Sequence, residues 1–266
     1  MIDPAAHLIH MRATAPLVHN IANYVSMNVM ANVLLAAGAS PAMIHAREEA
    51  AEFAAIAHAL SVNIGTLSPP WVEGMAEAAS VMTAAGKPWV LDPVAVGATA
   101  YRRRVGADLL ALGPRVIRGN ASEIMALAGA TSAGKGADAA DEVAAAENAA
   151  RALARSTGAV VAVTGPVDFV VDGDAAWRVS NGDPMMTKVT ALGCALSALV
   201  AAFVAGQAAG EAAGPATVAA LAFYGLAGER AAAGAAGPGS FAVRFIDELH
   251  AITPADLRAG ARVAAA

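Results

Sequence analysis

The segment VTALGCALSALVAAF, residues 189–203, contains the residues with the clearest chemical potential. A short polar turn leads into an apolar helix, so the backbone N–H groups of Gly193 and Cys194 are predicted to lie at a helix N-terminus. Unpaired amides and the positive end of the helix dipole favour a bound phosphate, and they also favour the thiolate of a cysteine. The alternative is structural: Gly193 permits a turn, and Cys194 packs as a small buried side chain.

Two further apolar runs end in charged side chains. The run in WVLDPVAVGAT ends at Asp92, and the run in VIRGNASEI ends at Arg118. The carboxyl ends of parallel strands form the ligand-binding edge of α/β proteins. Arginine suits phosphate oxygens, while Asp92 and Glu123 can hold a magnesium ion directly or through water. Alternatively, Asp92 and Asn120 cap helices, with Glu123 completing a capping box, or Arg118 and Glu123 form an ion pair.

Two other segments place polar side chains beside apolar ones. In VAVTGPVDFVVDG a strand ends at Thr164, whose hydroxyl either binds a nucleotide phosphate or belongs to a turn. PLVHNIANYVSMNVMANVLLAAGASPAMIH contains Asn23 and Met43 among several other amides and methionines. Amides next to flexible apolar side chains suit a small, mostly uncharged heterocycle, and helix packing is the alternative interpretation.

Several familiar motifs are absent from the sequence. It contains no GxxxxGK[ST] phosphate loop, no GxGxxG between a strand and a helix, and no GxSxG nucleophile elbow. A phosphate-binding protein with this sequence must therefore use another device, which the helix start at Gly193 would supply.

Short β-rich runs alternate with longer alanine-rich helical runs, and these elements must position the residues above. The alternation predicts a three-layer α/β/α sandwich with a mostly parallel central sheet. Strands are predicted at residues 17–19, 42–45, 61–64, 89–91, 116–118 and 159–164. Helices are predicted at residues 27–37, 47–59, 70–85, 122–127 and 138–157.

The pattern changes after residue 164. Two β-rich runs, 169–171 and 176–179, flank Asp172-Gly173-Asp174 and predict a hairpin around an Asp-Gly turn. Beyond the hairpin the chain is predicted to be helical almost to its end, with a frayed tail over residues 260–266. No linker rich in proline, serine or charge divides the sequence, so residues 1–266 are predicted to form one domain.

The composition at first suggests a membrane protein. Hydrophobic residues make up 57% of the chain, the mean hydropathy is +0.53, and residues 189–210 carry no formal charge. However, 74 of the 266 residues are alanine, and residues 189–210 lack both an aromatic belt and a flanking basic cluster. A buried helix of a soluble protein is therefore favoured over a membrane span.

Cysteine content and charge exclude further classes. The single cysteine rules out an intramolecular disulfide and a multi-thiolate metal site, and the first residues lack the pattern of a secretory signal, so a cytoplasmic location is expected. The net charge of −5 and the few aromatic residues do not suggest a nucleic-acid surface. The one basic cluster, residues 101–104, is predicted to lie on a solvated helix face.

Eight segments, in order, resemble those of hydroxyethylthiazole kinases, a thiamine-biosynthesis family of the ribokinase-like superfamily. They are PLVHNIANYV, GASPAMIHAREE, NIGTL, WVLDPVAVGAT, VIRGNASEI, VAVTGPVDFVVDG, VTALGCALSALVAAF and GPGSFAVRFIDEL, and they cover about residues 16–249. The resemblance implies a ribokinase-like fold and Mg²⁺-dependent transfer of the γ-phosphate of ATP to the primary alcohol of 4-methyl-5-(2-hydroxyethyl)thiazole. It also implies a homotrimer whose thiazole sites lie at subunit interfaces.

The resemblance implies roles for individual residues. Cys194 corresponds to the family's cysteine, at a position where many relatives in the superfamily carry a catalytic aspartate. The other implied roles are nucleotide binding for Arg118, Thr164 and Gly193, substrate binding for Met43, Asn23 and Ala191, and metal binding for Asp92 and Glu123. Where the family often has TGTGC, this chain has TALGC, and Ala191 is still expected to present its backbone to substrate or phosphate.

Two other functions remain open at this point. One is a kinase of the same fold that acts on hydroxymethylpyrimidine or pyridoxal, although the segment around Asn23 and Met43 favours thiazole. The other is a noncatalytic nucleotide-binding or sensor protein, which the altered pair Ala191-Leu192 favours. A membrane role is the least favoured.

Overall fold

Strands and helices alternate as far as Thr164, as the sequence predicts. The computed structural model describes residues 2–129, 139–205 and 213–266. The strands are β1 (Leu17–Ile21), β2 (Ser40–Met43), β3 (Ala59–Asn63), β4 (Trp89–Asp92), β5 (Val116–Asn120), β6 (Val160–Thr164), β7 (Asp168–Asp172), β8 (Ala175–Val179) and β9 (Val263–Ala265). The helices are α1 (Pro4–Thr14), α2 (Met27–Ala37), α3 (Arg47–Ile56), α4 (Pro69–Ala84), α5 (Ala100–Leu110), α6 (Ala121–Leu127), α7 (Ala139–Thr157), α8 (Leu192–Val204), α9 (Ala213–Ala233), α10 (Pro238–Ala251) and α11 (Pro254–Gly260), with a 3-10 helix at Pro184–Lys188.

These strands form one sheet in the order β2-β1-β3-β4-β5-β6-β7-β8-β9. The pairs from β2 through β6 are parallel, whereas β7, β8 and β9 pair antiparallel. The predicted mostly parallel sheet is therefore confirmed. At the carboxyl edge of the parallel strands, Asn63 is in register with Asp92, and Asn120 with Thr164.

Helices cover both faces of the sheet because successive side chains of a strand point to opposite faces. Val160 and Ala162 of β6 belong to a core cluster shared with α2, α8 and α9. Val161 and Val163 instead pack with α6 and α7, and a third cluster joins β3 and β4 to α3, α4 and α5. The predicted three-layer α/β/α sandwich is confirmed.

The apolar stretch that suggested a membrane span forms α8, which has 13 residues. Ala195 to Val204 are all buried, in contact with β1, β3, β4, α2 and α9. Its alanines allow this close packing on several sides. Residues 206–210 of the stretch lie outside the described part of the chain, and within that part no helix has the length and apolarity to cross a membrane.

Some predicted boundaries are wrong. The third helix, α3, ends at Ile56 rather than at residue 59, because Ala57 has an extended backbone and Ala59 already pairs with Val18. The tail is neither helical nor frayed at its end, since β9 pairs with β8. Helix α1, which begins after the capping side chain of Asp3, was not predicted. The hairpin is confirmed as β7 and β8, with Gly173 in the left-handed region at φ 59°.

Candidate active site

The carboxyl edge of the parallel strands brings the polar side chains together. Asn63 and Asp92 end β3 and β4, while Arg118 and Thr164 lie on β5 and β6. The first turns of α8 face this edge, because Ser197 Oγ donates a hydrogen bond to Asp92 Oδ2 at 2.8 Å. The expected ligand-binding edge and the predicted helix start therefore form one site.

The start of α8 is an uncapped helix N-terminus. The N-cap residue, Ala191, makes no side-chain hydrogen bond to the backbone, so the N–H groups of Leu192, Gly193 and Cys194 have no intrahelical acceptor. Arg118 lies beside them, with Nη1 donating to the Gly193 carbonyl at 3.1 Å. A guanidinium next to these amides and the positive end of the helix dipole favours a bound anion.

Ala191 adopts a backbone conformation that alanine rarely takes. Its φ is 68° and its ψ is −5°, in the left-handed region. This conformation costs an alanine about 1–2 kcal/mol, whereas glycine adopts it without a Cβ clash. The turn into α8 thus has a backbone geometry that suits glycine, the residue that the resemblance implies at this position.

A cavity of about 600 Å³ lies between the β6–β7 turn, residues 181–189, α8 and α9. Arg118, Thr164 and Gly193 line it, so the structure brings the three predicted nucleotide-binding residues to one cavity. Arg118 Nη2 donates to Thr164 Oγ1 at 2.5 Å. The volume lies within the range of small-molecule sites.

Asp92 is a buried carboxylate with one unpaired oxygen. Its Oδ2 accepts hydrogen bonds from Asn63 Nδ2 and Ser197 Oγ, both at 2.8 Å, and lies 4.0 Å from Arg118 Nη1. Its Oδ1 is buried and has no partner among the described residues. Burial raises the pKa of Asp92 to about 6, against the opposing charge of Arg118 and with a further increase from Glu123. Such an oxygen fits a ligand of a cation.

Glu123 connects two backbone segments. Its Oε1 accepts from the Ala95 N–H and its Oε2 from the Asn120 N–H, each at 2.9 Å. Asn120 in turn accepts from the Glu123 N–H at 3.0 Å, so the predicted capping box is confirmed. The alternative ion pair between Arg118 and Glu123 is not found; the carboxylate in ion-pair range of Arg118 is Asp92.

The acidic residues alone do not form a complete metal site. Across the described ranges, no three or more histidine, cysteine or carboxylate side chains are grouped so as to hold a metal ion. Magnesium nevertheless needs only one or two carboxylates when phosphate oxygens and waters supply its other ligands. Asp92 and Glu123 are therefore compatible with a metal that arrives with a phosphate compound.

Asn23 is held rigidly next to Cys194. Its Nδ2 donates to Asn63 Oδ1 at 2.7 Å and lies 3.5 Å from Cys194 Sγ. Its Oδ1 accepts from the N–H groups of Val25 and Ser26, both at 3.1 Å. The Asn23 amide thus uses its hydrogen-bonding capacity within the protein, and its side chain orders the loop that follows β1.

The Cys194 thiol is not activated in the way that the helix start suggested. Burial, followed by the charge of Asp92, raises the pKa of Cys194 above its usual range. The desolvation of the sulfur and the neighbouring carboxylate therefore act against the thiolate that the helix N-terminus was expected to favour.

Met43 lies apart from the cavity. It ends β2, the outer strand of the sheet, and packs against the core cluster that includes α8. Neither Met43 nor Asn23 lines the cavity, whereas Ala191 does. The predicted substrate residues Asn23 and Met43 therefore lie on the β1–β2 side, and Cys194 lies between them and the nucleotide residues.

Several residues of the site were not identified from the sequence. Asn63 bridges Asn23 and Asp92, and its place at the end of an apolar strand, like that of Asp92, is a signal that could have found it. Tyr224 Oη donates to the Leu192 carbonyl at 2.8 Å. Asp168 lines the cavity, and burial raises its pKa to about 6.

Residues near the end of the chain support the cavity wall. Asn181, which lines the cavity, donates from Nδ2 to the Gly260 carbonyl at 3.0 Å and accepts at Oδ1 from the Arg262 N–H at 2.7 Å. Glu229 accepts from the Gly182 N–H at 2.7 Å and pairs with Arg262. No local sequence pattern predicts contacts between residues so distant in the chain.

The prediction of a solvated basic cluster is wrong for Arg102. Arg103 and Arg104 are exposed, but the Arg102 guanidinium donates hydrogen bonds to the main-chain carbonyls of Ile64, Gly65 and Val94. The charge pattern could not distinguish an arginine that faces solvent from one that faces the loops of the site.

Comparison with known proteins gives one family. The model of the hydroxyethylthiazole kinase family matches residues 8–255. A hydroxyethylthiazole kinase from Cereibacter sphaeroides (strain ATCC 17025 / ATH 2.4.3) is 67% identical over 261 residues, which cover 98% of each chain. The solved hydroxyethylthiazole kinase from Pyrococcus horikoshii OT3 is 41% identical, with a TM-score of 0.90 and coverage of 99% of this chain and 98% of that one.

A more distant structure shares the fold. The pyridoxal kinase of Bacillus subtilis, solved as an ADP complex, is 18% identical, with a TM-score of 0.56 over 79% of this chain and 90% of that one. The fold is therefore ribokinase-like, as the resemblance implied.

Proposed function

Since the chain belongs to the hydroxyethylthiazole kinase family, we propose that it phosphorylates a thiazole alcohol with ATP. The primary alcohol oxygen of 4-methyl-5-(2-hydroxyethyl)thiazole forms a bond to the γ-phosphorus, the bond from this phosphorus to the β–γ bridging oxygen breaks, and ADP leaves. The observation that carries this proposal is the cavity in which Arg118 meets the uncapped start of α8 at Gly193, directly before Cys194.

In this proposal ATP lies along the carboxyl edge of the sheet, with its γ-phosphate at the start of α8. Arg118 binds phosphate oxygens as a charged donor, and Thr164 and the Gly193 amide add neutral donors. The buried Nε of Arg118, which has no partner within the described residues, supports a role that includes a bound anion. Positioning and charge neutralisation then supply most of the rate, since phosphoryl transfer passes through a loose transition state.

Asp92 and Glu123 are the residues that would hold Mg²⁺. The unpaired Oδ1 of Asp92 supports this assignment, and a bound cation would offset the burial, together with the charge of Glu123, that raises the pKa of Asp92. A bound Mg²⁺ neutralises charge on the transferred phosphoryl group. Asn63 and Ser197 keep the Asp92 carboxylate in place by donating to its Oδ2.

Cys194 orients the alcohol. Because the raised pKa keeps its thiol protonated, Cys194 is a poor acceptor for the alcohol proton. A loose transition state requires little early deprotonation, so the proton leaves late, to an oxygen of the transferred phosphoryl group. Asn23 fixes the loop beside the thiol, and the Ala191 backbone lines the adjoining cavity. Met43, on the β2 side of the thiol, offers a soft apolar contact to the heterocycle.

We further propose that the active form is a homotrimer that completes the thiazole site between subunits. Met43 lies on the outer strand β2, whose free edge is open to pairing or covering. Tyr24 and Val25, in the loop next to Asn23, are 73% and 59% exposed, which supports burial by a neighbouring subunit. One domain over residues 1–266 and a cytoplasmic location, with no nucleic-acid or membrane partner, complete the proposal.

ADP release by the purified protein tests this function. We expect release that requires the thiazole alcohol, ATP and Mg²⁺ together, and no comparable release with pyridoxal or hydroxymethylpyrimidine. Release with either of those alcohols at a higher kcat/KM would identify a different kinase of the same fold. Nucleotide binding by calorimetry without turnover of any of the three alcohols would identify a noncatalytic binding protein.

A further inference from the structure

Arg102 joins two loops at the carboxyl edge of the sheet. Its Nη1 donates to the Ile64 carbonyl at 2.6 Å and to the Val94 carbonyl at 2.8 Å, and its Nη2 donates to the Gly65 carbonyl at 2.6 Å. Ile64 and Gly65 directly follow β3, and Val94 follows β4. A planar guanidinium can bridge several acceptors at fixed angles, whereas a lysine ammonium on its flexible stem cannot.

The loop after β3 carries the substrate side of the site. The Gly65 N–H donates to Asn63 Oδ1 at 2.9 Å, and this oxygen also accepts from Asn23. A Cβ at Gly65 would lie 2.6 Å from Asn23 Nδ2, so the loop backbone packs directly on that amide. Thr66 Oγ1, in the same loop, accepts from the Tyr24 N–H at 3.2 Å.

The loop after β4 carries the acidic side. It continues from Asp92 through Val94 to Ala95, whose N–H donates to Glu123 Oε1 at 2.9 Å. Asn63 joins Asn23 to Asp92 at the strand ends, and the guanidinium that holds the carbonyls of Gly65 and Val94 adds a second connection, between the loops that follow.

We propose that Arg102 is a positioning residue that sets the distance between the alcohol-binding and the acidic halves of the site. This inference rests on the proposed function of that site. The strands stay paired without Arg102, because its partners lie beyond the strand ends, but the two loops lose their common donor. A misplacement of about 1 Å costs on the order of 100-fold in rate. The nucleotide cavity at Arg118 and Thr164 lies on the β5–β6 side and keeps its geometry.

The kinetic test compares Arg102→Met and Arg102→Lys with Arg104→Met, a control in the same helix whose side chain is exposed. We expect kcat for thiazole phosphorylation to fall by about 10- to 100-fold in both Arg102 variants, with the affinity for ADP measured by calorimetry without Mg²⁺ within about twofold of wild type, and no change in Arg104→Met. Unchanged kcat in Arg102→Met overturns the proposal. A parallel loss of ADP affinity also overturns it, since that result indicates general disruption.

Two measurements keep the test decisive. Hydrogen exchange should accelerate at the amides of Gly65 and Ala95 in Arg102→Met but not in Arg104→Met, and equal protection in both variants refutes the positioning role. Hydrogen exchange is measured without substrate, so it tests the positioning role independently of the proposed function. If the wild type showed no kinase activity but Arg102→Met still exchanged faster, only the proposed function would be refuted. If Arg102→Met does not fold, two other variants decide. Millimolar guanidinium should restore kcat in Arg102→Ala, and Arg102→Lys should still show a lowered kcat. The proposal is refuted if guanidinium does not restore kcat in Arg102→Ala and kcat is normal in Arg102→Lys.

Discussion

Replacing Ala191 with glycine should stabilise this protein, although glycine usually weakens a helical segment. At φ 68° an alanine carries about 1–2 kcal/mol of strain that glycine does not. Glycine adds conformational freedom to the unfolded chain, which costs about 0.4–1 kcal/mol. The difference between the centres of the two ranges predicts a net stabilisation of about 0.8 kcal/mol. The N-cap position also favours the substitution, because glycine is a better N-cap residue than alanine and the start of α8 has no side-chain cap.

Chemical denaturation and thermal unfolding of Ala191→Gly measure this effect. We expect the unfolding midpoint to rise by about 1–4 °C. The matched control is Ala195→Gly, a buried position one turn further along α8, where the change should destabilise by about 1 kcal/mol. If Ala191→Gly lowered the midpoint as Ala195→Gly does, the backbone at position 191 would not be strained, and the argument from its conformation would be refuted.

Three further outcomes concern the chemistry. Cys194→Ala should lower kcat by about tenfold with ADP affinity nearly intact, because the thiol orients the alcohol; unchanged kcat would remove Cys194 from the mechanism. Arg118→Ala should weaken ADP binding by about 10- to 100-fold in calorimetry through the loss of a charged donor, and unaltered affinity would count against its role. Since the carboxylate form of Asp92 is needed and its pKa is raised to about 6, kcat/KM should fall as the pH drops below about 6. Burial raises the pKa of Asp168 to about 6 as well, so the Asp168→Asn variant is the control. If kcat/KM no longer fell at low pH in Asp168→Asn, the titrating group would be Asp168 and not Asp92.

The layered fold follows from the sequence because its signals are local. Hydrophobic runs of strand length alternate with alanine-rich helical runs, and this order determines a parallel sheet with crossover helices. The Asp-Gly turn at Gly173 similarly predicts the hairpin. Strand β9 gave no such signal, because a three-residue strand is stabilised by pairing with β8 rather than by its own sequence.

The candidate site was only partly predictable. Asp92 and Thr164 stand at strand ends, and Arg118 lies two residues before the end of β5 rather than at it as predicted, so the topology still places all three near one edge. The helix start at Gly193 is visible as a turn before an apolar run. The pairing of Asn63 with Asp92 and the inward turn of Arg102 depend on three-dimensional contacts between separate loops. The pKa of Cys194 likewise depends on burial and on a neighbouring carboxylate, neither of which is visible in the local sequence.

The support of the cavity wall by residues near the end of the chain affects the order of events during synthesis. A ribosome completes β1 to β6 and α8 well before it adds Gly260 and Arg262, on which Asn181 depends. The sheet core can therefore form on the nascent chain while the wall of the nucleotide cavity still lacks its backing. A chain interrupted before Gly260 would consequently be expected to keep much of its fold yet bind nucleotide poorly, because Asn181 would lose both of these partners.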